Sequence, residues 1–247
     1  MPDTRNNLTS YFELPDPRWK DLYRVGAVAC IILAAAIPLA ILAYFIWPYA
    51  PGVSSVAEIF ASLQKDQLAG LISLDLSVVL LEPLAILQTL ALYAALKKVN
   101  ESYALIALVL GLMGILLWLT ARPLVELTYL SEQYAAATTE AARHQYLAAG
   151  EALHALFNGS AWMFSQFLIA ISSTISDLLM LKTRFFSKWT AYTGLILAIP
   201  GFIFWVPTVG MYAMLIGTLA GTIWFILMAR DFIRMGWDKS NSLQGAL

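Results

Sequence analysis

Three groups of polar side chains stand in otherwise apolar sequence, and the spacing of each suggests a chemistry. Glu82 lies in the middle of an apolar run from about residue 69 to 96, and Asp75 stands seven residues earlier. In one continuous helix that interval returns to the same face, so the two carboxyls form a stripe suited to a proton or a small cation. Pro83 follows Glu82; it removes one backbone donor and frees a carbonyl a turn earlier. A carboxyl at that depth has to be protonated or paired and to face other helices. The alternative role is packing, as a neutral acid hydrogen-bonded to a neighbouring helix. Arg122, at the end of the next apolar run, is the nearest cation, open to Asp75 or to Glu126.

Gln166, Ser173 and Asp177 make a second stripe, within about 40° of one another at 100° per residue. Asp177 stands near Lys182 and Arg184, which predicts an ion pair at the membrane surface. Ser165, Ser172 and Ser176 suit contact between helices. The third group is Glu140, His144, Glu151 and His154, inside an arc of about 80° if they share one helix. Glu151 and His154 have the Glu-x-x-His spacing of metal sites in helical bundles. Such sites draw ligands from several helices, and no second motif of this kind occurs; a solvated helical face explains the stripe more cheaply. No lysine falls inside an apolar run, and both histidines lie in one polar stretch. That excludes a retinal Schiff base and a haem held by paired histidines within a span.

The elements that must position these groups follow from composition. Of 247 residues, 60 % are apolar or aromatic and 13 % are charged, and the mean hydropathy is +0.72. Soluble domains carry about 25 % charge, so these runs belong in lipid. A net charge of −1 gives no field for nucleic acid. Cys30 is the single cysteine and reads as a small buried hydrophobe.

The fold class predicted is all-α, an integral membrane bundle of six transmembrane helices with an external helical hairpin between helices 3 and 4. Residues 1–15 form a polar tail, 16–237 the transmembrane domain and 238–247 a second tail. The spans cover about 25–47, 69–96, 103–121, 155–181, 190–206 and 208–229. Asp16-Pro17 reads as an N-cap with proline in the first turn. Residues 48–67 form a short polar link. The run 124–153, with Thr138 or Thr139 as a cap, makes the hairpin. Residues 190–229 hold 40 positions without a charge, about 60 Å of helix and twice a bilayer core. They therefore fold back once, at Pro207-Thr208, with Pro200-Gly201 as a kink.

Alternating the loops between two sides puts Arg5, Arg18, Lys20, Arg24, Lys97, Lys98, Lys182, Arg184, Lys188, Arg230, Arg234 and Lys239 on one side. Lys65, Arg122 and Arg143 fall on the other. Twelve cations against three place both termini in the cytoplasm. Trp19, Trp189 and Trp237 mark the inner interface, and Trp47, Trp118 and Trp205 the outer. Gly217 and Gly221 form a GxxxG, a helix-contact motif through which the chain is open to a membrane partner or a second copy.

Asn100-Glu101-Ser102 leading into Leu105-Ile106-Ala107, the Tyr134 to Thr139 segment, and Phe186 to Tyr192 together resemble a bacterial family of polytopic membrane proteins of unknown function. The resemblance covers about residues 20–235. It implies a six-helix protein of the bacterial inner membrane and supplies no activity, cofactor or catalytic residue.

Three function classes remain: a non-enzymatic bundle (an accessory subunit, or one binding lipid or a small apolar ligand), a small proton- or cation-coupled transporter or channel using Asp75 and Glu82, and an enzyme with an external metal site. The topology is testable now. Reporter fusions at residues 100, 186 and 240 should read cytoplasmic, and fusions at 55 and 140 external; an external reading at 240 requires an odd number of spans.

Overall fold

A computed structural model describes residues 15–203, 206 and 209–237. Among these residues the regular structure is all helical, with no strand. A 3₁₀ turn at Pro17–Trp19 leads into α1 (Lys20–Ile46), followed by α2 (Ala50–Val53), α3 (Val56–Lys65), α4 (Gln67–Ser73), α5 (Leu76–Leu81) and α6 (Pro83–Leu96). Then come α7 (Glu101–Thr120), α8 (Leu124–Ala136), α9 (Glu140–His154), α10 (Ser160–Met180), α11 (Lys188–Ile203) and α12 (Val209–Trp237). Five stretches are long and apolar enough to cross a membrane: Pro17–Ile46, Leu76–Leu96, Glu101–Ala136, Ser160–Met180 and Ile216–Trp237. Their outward positions carry Ile31, Val109, Leu219 and Ile223, each about half exposed, an arrangement that lipid accepts and water does not. The expected turn at Pro207-Thr208 and the Trp205 anchor lie outside the described residues, as do positions 1–14 and 238–247 of the two tails.

The chain divides into two compact units. One combines the segments up to Ile37, Pro83–Ile115 and from Gln166 onward. Small residues set its spacing. A Cβ on Gly26 of α1 would lie 2.6 Å from the Ala91 Cβ of α6, and Ala27, Ala91, Ala94 and Ala95 are buried around that contact. In lipid, where burying apolar surface between helices gains nothing over leaving it in acyl chains, such close approach supplies the van der Waals attraction. Tyr23 stacks on Phe232 at 6.5 Å, and Phe186 meets Phe232 edge-on. Helices α11 and α12 run antiparallel: Pro200 meets Gly217, Leu197 meets Gly221, and Thr190 bonds Asp231. Gly217 and Gly221 thus make their helix contact within the chain. Pro200 lies inside α11 as expected.

The other unit comprises Pro38–Glu82 and Leu116–Ser165. The expected polar link at 48–67 is here mostly helix. Ser55 and Glu58 form a reciprocal capping box that starts α3, and Glu58, held by the Ser55 backbone and hydroxyl, titrates below its ordinary range. Val56, Ile59, Phe60 and Leu63 form the buried face of α3 and pack with Leu124 and Leu127 of α8. The Ser131 hydroxyl donates to the Phe60 carbonyl at 3.1 Å. Thr139 caps α9 by accepting from the Ala142 N–H at 3.2 Å. Gly150 of α9 presses on α3, where a Cβ would lie 2.6 Å from Val56 and 2.7 Å from Phe60.

The second expected span is divided. After α4 the chain turns at Leu74 and Asp75, and Asp75 takes a left-handed backbone, φ 75° and ψ 17°. Aspartate tolerates that region better than most residues. The stretch long and apolar enough to cross therefore starts at Leu76 and runs 21 residues, which places Glu82 near its first third rather than its middle.

Gly150→Ala should force α9 away from α3 and cost about 1–3 kcal/mol. Hydrogen exchange should quicken across α3 and α9 while α11 and α12 stay at the parent rate; unchanged exchange in α3 would contradict this packing.

Candidate functional site

The polar centre of the second unit gathers around Asp75. Helix α7 ends at Thr120 because Pro123 follows closely, and the residue before a proline is steered out of helical backbone. Arg122 is thereby released from the helix and turned inward. Its Nε donates to Asp75 Oδ2 at 2.9 Å. One Nη donates to the Phe157 carbonyl at 3.0 Å and to the Ala121 carbonyl at 3.3 Å. The guanidinium also lies over the Trp118 and Phe157 rings, at 4.5 and 5.3 Å. Trp118, expected to anchor in the outer interface, is instead buried beneath this cation.

Asp75 is equally enclosed. Its second oxygen accepts from the Tyr44 hydroxyl, and Tyr49 meets Tyr44 edge-on at 5.9 Å. Burial first, and the charge of Asp75 second, push the Tyr49 phenol up to about 12, which keeps it neutral. The side chains of Arg122 and Asp75 are 4 % and 7 % exposed. Asp75 stands at the N-cap position of α5 but gives that helix no side-chain bond. Its carboxylate is wholly engaged by Arg122 and Tyr44.

Glu82 does not join this cluster. It sits at the junction of α5 and α6, half-buried. Among the described residues it makes no hydrogen bond or ion pair, although the charge of Arg122 reaches it. The face that Asp75 and Glu82 were to share is absent, because Asp75 lies in a left-handed turn outside the helix.

In the first unit, Asp177 departs from its expected ion pair. It is fully buried, and among the described residues it pairs with neither Lys182 nor Arg184. Its carboxyl presses against the backbone of Gly194 on α11, a contact that any larger residue there would block. Trp224 lies beside it, yet neither carboxyl oxygen nor the indole nitrogen completes a hydrogen bond. The remainder of that stripe serves packing. Ser173 bonds the Ala170 carbonyl of its own helix at 3.3 Å, the neighbouring Ser172 donates across to the Ala107 carbonyl of α7 at 2.6 Å, and the backbone carbonyl of Gln166 lies beside Gly201 of α11.

Helix α9 does carry Glu140, His144, Glu151 and His154 together, as expected. The exposed His144 lies 3.8 Å from the exposed Glu140. His154 packs on Phe157 at 6.4 Å with its Nε2 enclosed and unbonded. Among the described residues no three His, Cys, Asp or Glu side chains come close enough to share a metal ion, so His144, Glu151 and His154 are not assembled into a centre.

One acid gained no role from sequence, and a second gained only part of its role. Asp231 on α12, fully buried, accepts from the Ser187 N–H at 3.0 Å and the Thr190 hydroxyl at 2.5 Å, so it caps α11 from another helix. Arg230 holds its other oxygen at 3.0 Å. The hydroxyls flanking Lys188 were the available signal. Asp16, predicted only as a cap, also pairs with Arg18 at 2.8 Å and Lys98 at 3.3 Å. The Arg18 guanidinium, opposed by burial, holds this carboxyl well below the usual carboxylate range.

A double-mutant cycle measures the central pair. Arg122→Met strands a buried carboxylate and should cost about 3–5 kcal/mol. Asp75→Asn with Arg122→Met should recover part of that loss; additive losses in thermal unfolding would mean that the two groups do not interact.

In sequence the chain matches no family model and no curated protein, and in fold it matches no solved structure. Its role must be argued from its own geometry.

Proposed function

We propose that this chain is a non-enzymatic six-span protein of a bacterial cytoplasmic membrane, with both termini in the cytoplasm. It holds lipid or a small apolar ligand, or serves as an accessory subunit of a membrane complex. Two structural arguments support six crossings and an external hairpin. Helix α11, at 16 residues, is too short to count among the five apolar stretches. It nevertheless follows α12 antiparallel from Asp231 to Gly217, a pairing that favours a return crossing by α11 wherever α12 crosses. The stretch Glu101–Ala136 has 36 residues, about 54 Å as helix against a core of roughly 30 Å. The 20 residues of α7 already match that core, which favours α8, and α9 after it, standing outside the lipid. The orientation rests on the twelve-to-three distribution of cations, and the bacterial assignment on the family resemblance.

The observation that carries the non-catalytic reading is the engagement of Asp75. A cation or proton site needs a carboxyl open to its ligand, and this one is neutralised by Arg122 and bonded by Tyr44. A second reading, a small proton- or cation-coupled carrier, has Asp177 in its favour: a fully buried acid without a hydrogen bond, in a helix apolar enough to cross a membrane. Intramembrane acids of this kind mark ion pathways in many transporters.

Reconstitution separates the two. Proteoliposomes should show no uptake driven by a proton or sodium gradient beyond that of protein-free vesicles, and protein extracted gently from native membrane should retain lipid or a second protein. Gradient-driven flux that Asp177→Asn or Glu82→Gln abolishes would establish the carrier instead.

A further inference from the structure

We propose that a groove between α1, α6 and the end of α12 binds an anionic phospholipid, its phosphate on Arg24 and one acyl chain between Val28 and Leu87. The inference rests on the reading of the chain as a lipid-embedded bundle and adds a specific ligand class and place.

The groove has a volume of about 270 Å³ and presents only apolar surface. Its walls are Val25 and Val28 of α1 and Leu84 and Leu87 of α6, and its floor is the buried Ala29. The shape has a cause in the sequence. Gly26 lets α1 close on Ala91 of α6, and the Tyr23 hydroxyl donates to the Ala94 carbonyl at 3.4 Å, so the two helices run antiparallel. Leu84 lies seven residues beyond Ala91, about 10 Å further along the helix. The groove is thus an elongated slot that leaves the helix ends and runs into the apolar zone, the path of an acyl chain.

Its outer end is polar and fixed. Arg24 Nε donates to the Gly236 carbonyl at 2.9 Å, and one Nη donates to Asp21 at 3.0 Å. The guanidinium lies 5.4 Å from the centre of the Trp237 ring. Among the described residues its other Nη has no partner, and the side chain is 41 % exposed. Among the described residues Asp21, 92 % exposed, is held by Arg24 alone, and it can turn into water. A guanidinium oriented at one edge offers two parallel donors to a phosphate at the other. Indole rings favour the same headgroup level. Arg234, exposed in the last turn of α12, adds positive charge, which draws anionic lipid to a cytoplasmic surface.

Native mass spectrometry tests this on the full chain, incubated in mild detergent with equal phosphatidylglycerol and phosphatidylcholine of identical acyl chains. The parent should retain the anionic lipid about tenfold over the neutral one, a difference of about 1.4 kcal/mol. Arg24→Gln should bring the ratio close to one. Val28→Trp, which fills the slot from a position 51 % exposed, should lower retention of both lipids. Millimolar inorganic phosphate should leave the bound lipid in place, and displacement by it would make this an anion site and overturn the proposal. Equal retention of the two lipids by the parent, or retention untouched by both variants, would also overturn it while leaving a lipid-holding bundle intact. A parent that retains no lipid and carries no partner would remove the underlying functional reading as well. Should Arg24→Gln fail to fold, Val28→Trp alone decides the chain's place, and Arg24→Lys, with charge but no fork, should fall between parent and Arg24→Gln.

Discussion

The buried pair of Arg122 and Asp75 is the constraint around which the second unit is organised. Withdrawing two charges from water is repaid only when the geometry is good and every remaining donor and lone pair is satisfied. Here the contacts that engage the pair come from separate pieces of chain. Asp75 depends on the turn between α4 and α5, Arg122 on the stop that Pro123 imposes, Tyr44 on the end of α1, and the Phe157 carbonyl on the turn before α10. Four segments distant in sequence must arrive together, or the charges are left unpaired. That requirement explains two helix breaks that apolar composition alone does not call for.

The first unit solves the same problem without an ion pair at its centre. Glycine and alanine bring backbones together, as at Gly26 and Ala91 or Gly217 and Pro200, and aromatic contacts join Tyr23, Phe186 and Phe232. Charges are confined to helix ends, where Asp231 and Asp16 satisfy N-termini and neighbouring cations. Asp177 is the exception, since the bare backbone of Gly194 provides room for it and no bond.

Much of this architecture was legible in sequence. Uncharged runs locate crossing helices because lipid admits little else, and Asp16 and Thr139 announce helix starts through local chemistry. The α3 helix was equally readable, from the Ser55 and Glu58 capping box and apolar positions 56, 59, 60 and 63, but its few residues were overshadowed by longer runs on either side. What sequence could not supply was partner choice. Whether Arg122 takes Asp75 or Glu126, whether Asp177 meets a cation or a glycine, and whether Gly217 faces its own chain are set by packing between remote segments. The place of Glu82 is hidden in sequence for a related reason: a helical period does not carry through Asp75, where the backbone changes hand.

Position 75 also restricts which alphabet of side chains the site can use. Its backbone conformation selects for glycine, asparagine and aspartate, while its neighbour Arg122 selects for a carboxylate. Glutamate satisfies the second filter and fails the first; asparagine and glycine do the reverse. Only one of the twenty residues passes both, so the turn and the charge cannot be varied independently. A redesign that seeks to remove the buried charge must therefore replace the left-handed turn, Arg122 and Tyr44 as a single set.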